Sequence, residues 1–99
     1  MYEWDETKNK ENLSKHGLSF EDAEFVFSGP CVTFADARYD YGEERFITLG
    51  LLEGRAVVIA HTPRGARTRI ISMRKANNRE QKIYQKQLGP PGYAARRRY

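Results

Sequence analysis

The spacing of apolar residues changes twice along the chain. Up to Pro30 it is helical. "DETKNKENLSKHG" has a thin apolar side, Leu13 with Trp4 ahead of it, but clear ends: Asp5 as N-cap, and His16-Gly17 as a cationic last turn with a glycine stop. "SFEDAEFVFSGP" carries the stripe Phe20, Ala23, Val26 and Phe27, opens on a Ser19/Asp22 capping-box spacing and closes at Gly29-Pro30. From Cys31 the period is two. "CVTFADA", "RFITLGLL", "RAVVIAHT" and "RTRIISMR" read as four strands. They are joined by the polar loop "RYDYGEE", a Glu53-Gly54 hairpin turn and a Pro63-Arg64-Gly65 turn. "NNREQKIYQKQL" returns to helical spacing, capped by Asn77 or Asn78, with Ile83, Tyr84 and Leu88 on one side.

These elements predict an α+β fold: two N-terminal helices, a four-stranded antiparallel meander and a C-terminal helix. "YEW" has room to add a short extra strand at the start. Helices on one face leave the other open to water. Residues 1–88 read as one domain, and "GPPGYAARRRY" (89–99) as a flexible basic tail. Strict alternation in the fourth strand puts Arg69, Ile71 and Met73 against the helices, and Ile70, Ser72 and Arg74 outward. Ala56 and Ala60 of the third strand would give that outer face a shallow floor.

Charge sharpens this picture. Lys and Arg number 17 against 13 Asp and Glu, a net +4, which suits an anionic partner, nucleic acid first. Cys31 is the only cysteine. It excludes an intrachain disulfide and argues against a structural zinc site, and no His/Asp/Glu spacing on one helix face suggests another metal. The charged first 17 residues lack the apolar stretch of a signal peptide, and no segment is long enough to span a bilayer, so a cytoplasmic location is expected.

Positive charge concentrates on the sheet. Arg64, Arg67, Arg69 and Arg74 fall within one turn and one strand, and Arg45 opens the second strand beside Glu43 and Glu44. A single such arginine reads most simply as half of a surface ion pair, worth about 0.2–1 kcal/mol. A cluster repels itself, and a phosphate backbone gripped by planar guanidinium groups would relieve it. His16 and His61 alone titrate near neutrality in their ordinary state. Nothing assembles a nucleophilic triad. RNA, however, brings its own nucleophile, the 2′-hydroxyl. A protein need only orient it, move a proton and stabilise the charged phosphorane, without metal or cofactor.

Three motifs in order resemble a known family. The first is Trp4, Asp5, Lys8, Asn12, Lys15, His16, Gly17, Phe20 and Ala23. The second is Gly42, Glu43 and Arg45, and the third Arg69, Ile70, Ile71, Ser72, Arg74 and Ala76, followed by Glu80 and Tyr84. Over residues 2–85 this pattern resembles the BrnT toxins of type II toxin–antitoxin pairs. The resemblance implies a RelE-like fold and a metal-independent ribonuclease that stops translation. It implies a DNA-binding BrnA-type antitoxin, a ribbon-helix-helix protein through which alone operator DNA would be reached. On this reading His16, Glu44, Arg45, Arg69 and Arg74 are the catalytic candidates. Lys15, Arg64, Arg67, Ser72 and Tyr84 are the RNA-binding ones, although Tyr84, on the last helix, serves equally well as core. The alternative is a non-catalytic basic module that docks RNA or an acidic protein.

Overall fold

The structure, a computed structural model, describes residues 1–88; the tail expected over residues 89–99 lies outside the described residues. β1 (Tyr2–Glu3) leads into α1 (Glu6–His16), and a 3₁₀ turn (Phe20–Asp22) into the short α2 (Ala23–Ser28). Then come β2 (Val32–Ala35), β3 (Phe46–Leu52), β4 (Arg55–Arg64), β5 (Arg67–Lys75) and α3 (Asn78–Leu88). The sheet has five strands in the order β1-β5-β4-β3-β2, the four of the meander and the short N-terminal strand for which "YEW" had room. β2 to β5 form the antiparallel meander, and β1 joins parallel to β5, with Glu3 opposite Arg69.

Local chemistry sets most of the boundaries. The Asp5 carboxylate accepts from the Thr7 and Lys8 N–H groups, and Gly17, left-handed at φ 72°, closes α1 by donating to Leu13 O at 2.8 Å. Glu53 and Gly54 both take positive φ, as a tight β3–β4 turn demands. Two expectations fail in detail. Ser19 accepts from Glu21 N–H and opens a 3₁₀ turn, so no capping box with Asp22 forms. The β4–β5 turn falls at Gly65-Ala66, because Arg64 already pairs with Arg67.

α1 does not meet the core through its leucine. Leu13 is exposed, and the helix buries Asn9 and Asn12 instead. Asn9 Oδ1 accepts from Phe20 N–H at 2.8 Å. Asn12 Nδ2 donates to Leu18 O at 2.9 Å, and its Oδ1 accepts from Met73 N–H at 3.2 Å. β1 pairs with β5 only at Thr68 and Arg69, so Asn12 satisfies an N–H on the stretch of β5 edge that β1 does not reach.

Helices cover both faces of the sheet rather than one. On the first face Phe20, Ala23 and Val26 pack on Leu52, Val57, Ile59, Ile70 and Met73. On the second, Tyr84 of α3, with Ala76 before it, packs on Leu49 and Val58. Both parities of β3 and β4 are apolar, so neither face could be left wholly to water.

The register of β5 decides the rest. Ser72 lies opposite Ala60, but Ile70 lies opposite His61, so Ile71 is an extra residue in a β-bulge. Alternation therefore slips by one. Ile70 joins Met73 in the core, contrary to the outward placement expected for it, and Arg69 moves to the face that carries Ser72 and Arg74.

Candidate nucleic-acid face

That second face is where the cations gather. Ser72, Ala60, Ile47 and Phe34 are paired in register and form one row across β5, β4, β3 and β2. Arg74, Val58, Leu49 and Val32 form the next row. Toward the other end, Arg69 pairs with Thr62 and Arg67 with Arg64, and Arg45, just before Phe46, has the parity of Ile47. Arg45, Arg64, Arg67, Arg69, Ser72 and Arg74 thus share one side of the sheet. At a rise of roughly 3.3 Å per residue, the positions of Arg69 and Arg74 stand about 13 Å apart along the strands. The small floor of Ala60 and Ser72 lies between them.

The arginines are not bare. Arg45 reaches Glu43 at 3.3 Å, Arg64 reaches the same carboxylate at 3.2 Å, and Arg69 reaches Glu3 at 2.9 Å. Arg74 is held by both oxygens of Glu80, at 2.8 and 2.7 Å, and Arg38 grips Asp36 from 2.8 Å. The expectation of mutual repulsion fails: five guanidinium groups share four carboxylates. At this exposure each pair adds little stability, but it fixes where a long side chain lies. A guanidinium has five N–H donors, and a bidentate carboxylate engages two. Ion pairing therefore aims these groups without exhausting them. Among the described residues, Arg67 and Arg79 make no ion pair, so the face remains net positive.

The acidic partners show the effect of these contacts. The Arg38 guanidinium, with smaller help from its backbone N–H and from the Tyr41 hydroxyl, holds the Asp36 carboxyl down at about 2. Arg74 lowers Glu80 in the same sense, and Glu80 raises Arg74. Glu80 also closes the α3 capping box: its Oε1 accepts from Asn77 N–H at 2.9 Å while its N–H donates to Asn77 Oδ1 at 2.8 Å. Asn77, not Asn78, is the cap. The loop from Asp36 to Arg45 is tied to itself in the same way. Tyr41 donates to Asp36, Arg45 lies 4.0 Å over the Tyr41 ring, and Gly42 takes the positive φ the turn requires.

Two clefts open beside the clustered arginines. One, of about 260 Å³, brings Lys8 from α1 together with Arg45, Arg64, Arg69 and Glu43. The other, of about 460 Å³, lies between β2, β3 and the start of α3 and is bordered by Arg38, Arg74 and Arg79 over Phe34 and Ile47. Lys8 and Arg38 had no role in the sequence reading. Lys8 was visible as a motif position, whereas nothing in the sequence around Arg38 distinguishes it.

Other candidates lie elsewhere. His16 borders a cleft with Leu52, Arg55, Val57 and Lys75, which carry the parity of the opposite face, and Lys15 is exposed on the same helical turn. The structure does not bring either to the arginines. Tyr84 is 2% exposed, packs on Leu49 and Val58 and donates to Pro30 O at 3.2 Å; it is core. Glu44 is exposed beside Arg45, its carbonyl accepts from the Thr62 hydroxyl, and it lines neither arginine cleft; the carboxylate in the smaller one is Glu43. His61 is buried on the first face, Nε2 2.7 Å from Thr48 Oγ1, and burial pushes its pKa below the ordinary value. Among the described residues, no three His, Cys, Asp or Glu side chains converge as a metal ion requires, and no helix is long and apolar enough to cross a membrane.

The first sequence motif now has a physical meaning. Asp5 caps α1, Asn12 ties it to β5, Gly17 ends it, Trp4 packs edge-on to Phe20, and Phe20 and Ala23 are core. It is largely a fold motif, with Lys8 as its exposed remainder. No curated protein matches the chain. A family model described as the ribonuclease toxin BrnT of type II toxin–antitoxin systems matches residues 4–80, from the tryptophan against Phe20 to the glutamate that holds Arg74. With that match spanning both the α1 framework and the bulged arginine strand, the chain belongs to the BrnT family of ribonuclease toxins.

Proposed function

We propose that the second face of the sheet is the ribonuclease site and that it cleaves RNA without a metal ion, through the substrate's own 2′-hydroxyl. The observation that carries this reading is the bulge at Ile71, which gathers Arg45, Arg69 and Arg74 on one side of the sheet. Bulges commonly re-aim side chains next to active sites. The scissile phosphate sits in the smaller cleft. There Lys8, Arg45 and Arg69 face the phosphorane as charge builds on its oxygens, and Arg64 holds the strand. Glu43, the carboxylate that lines this cleft between Arg45 and Arg64, takes the 2′-hydroxyl proton as the oxygen attacks phosphorus. The 5′-oxygen leaves with a proton from water, and a 2′,3′-cyclic phosphate remains. His16 plays no part, because it stands on the other side of the sheet.

A toxin of this type, acting on cytoplasmic RNA in a RelE-like architecture, requires neutralisation. An antitoxin of the BrnA, ribbon-helix-helix kind that covers the arginine face would supply it. The competing reading, a basic module that binds and does not cut, draws support from the carboxylates beside Arg45, Arg64, Arg69 and Arg74. Incubating the purified chain with RNA in EDTA decides between them. Cleavage to cyclic-phosphate ends, lost in Arg69→Ala and reduced in Glu43→Gln at unchanged fold, supports the ribonuclease. Intact RNA at high protein concentration supports the module, and cleavage that EDTA abolishes refutes the metal-free scheme.

A further inference from the structure

We propose that the larger cleft, between β2, β3 and the start of α3, is a nucleobase subsite: it takes one base of the RNA strand, stacked on Phe34, beside a phosphate held by Arg74. The inference deepens the ribonuclease reading and rests on it for the identity of the ligand.

Phe34 is the reason to look here. It sits on edge strand β2 with 38% of its surface exposed, paired with Ile47 on the arginine side of the sheet. The exposed part of the ring contributes little to folding, but every base has a π-face to lay on it. The surrounding charge selects the ligand. Arg38, Arg74 and Arg79 border the cleft, and Asp36 and Glu80 each fix one of these arginines in place. An aromatic floor under guanidinium groups is the pairing by which single-stranded nucleic acid is gripped, base on ring and phosphate on cation. An apolar peptide would leave Arg79 and the remaining N–H donors of Arg38 and Arg74 unused, and a bare anion would leave Phe34 uncovered.

The position also fits. Arg74 belongs both to this cleft and to the row next to Ser72 and Ala60, whose small side chains leave the path toward Arg69 open. A strand with its scissile phosphate at Arg69 therefore continues over that floor and delivers a neighbouring nucleotide to Phe34. The subsite would act on affinity and on the choice of cleavage position rather than on the bond-breaking step.

The test uses the full chain and two probes: a fluorescein-labelled 2′-O-methyl RNA dodecamer, which cannot be cleaved, and the same strand made abasic. Phe34→Leu keeps apolar cover on β2 but removes the ring, and Phe34→Tyr restores it. Wild type and F34Y should prefer the base-bearing strand, whereas F34L should bind it about tenfold more weakly and no better than the abasic strand. On cleavable RNA, F34L should raise KM at nearly constant kcat and change the preferred cut positions. Circular dichroism and a thermal midpoint close to wild type establish that F34L is folded; should it unfold, Arg79→Ala, which should weaken binding and lower the salt dependence, provides the second measurement. Equal binding of both strands by wild type and F34L, with unchanged KM and cut sites, overturns the subsite. Cleavage that persists beside that result leaves the ribonuclease reading standing alone. Phe34-dependent binding without any cleavage does the reverse.

Discussion

Replacing Asn12 by alanine tests whether α1 is joined to the sheet by polar contacts rather than by its leucine. The side chain is 7% exposed and satisfies two backbone groups, the Leu18 carbonyl and the Met73 N–H. Alanine leaves both without a partner. A buried backbone group stripped of its hydrogen bond costs about 1–3 kcal/mol. Met73 is fully buried, so its N–H lies near the upper end of that range, and the Leu18 carbonyl, closer to the surface, near the lower. Together they give roughly 2–5 kcal/mol against a total stability of about 5–15 kcal/mol for a protein of this size. With an m-value of about 1–3 kcal/mol/M, the urea midpoint should fall by roughly 1–2 M. Leu13→Ala, at a helix position 51% exposed, is the control and should move stability by under about 0.5 kcal/mol. Equilibrium urea unfolding followed by circular dichroism reads both. If N12A unfolds within about 0.3 M of wild type, or L13A proves the costlier change, the account of α1 is wrong.

Three further outcomes rest on other contacts of the fold. A Cβ at Gly50 would stand 2.6 Å from Val26 Cγ1 and 3.2 Å from Cys31 Cβ, so Gly50→Ala should push α2 off β3 and cost about 1–3 kcal/mol in thermal unfolding. Burial lowers the pKa of His61, so the unfolded chain binds the proton more readily; stability should hold above the ordinary value of 6.5 and decline as pH falls below it, and a His61→Gln urea series that keeps the same slope between pH 7 and 5.5 would contradict this. Glu80 is lowered by Arg74, so its stabilisation is present above the ordinary 4.5 and lost as pH falls; Glu80→Gln keeps the capping acceptor but loses the charge held by Arg74, so it should cost up to about 1 kcal/mol at pH 7 and flatten the acid limb, and unchanged curves would rule out the clamp.

The sequence by itself determined the elements, because their signals are local. Asp5 and Gly17 bound α1, Glu53-Gly54 reverses the chain, and Asn77 with Glu80 starts α3 through contacts a few residues long. The family motifs and the concentration of arginine were equally legible. Only the tertiary structure decided which face each arginine occupies. Alternation assumes one residue per partner, and the extra residue at Ile71 is registered only when β5 lies against β4; without it Arg69 and Arg74 stand on opposite sides. The same limit hid the carboxylates. Glu3 is 66 residues from Arg69 in sequence and one strand away in space. It also hid the burial of asparagine in α1, since polarity read along a helix cannot reveal that a β-edge N–H awaits it. Local chemistry fixes where a chain turns and caps, whereas charge and face are properties of neighbours that only folding brings together.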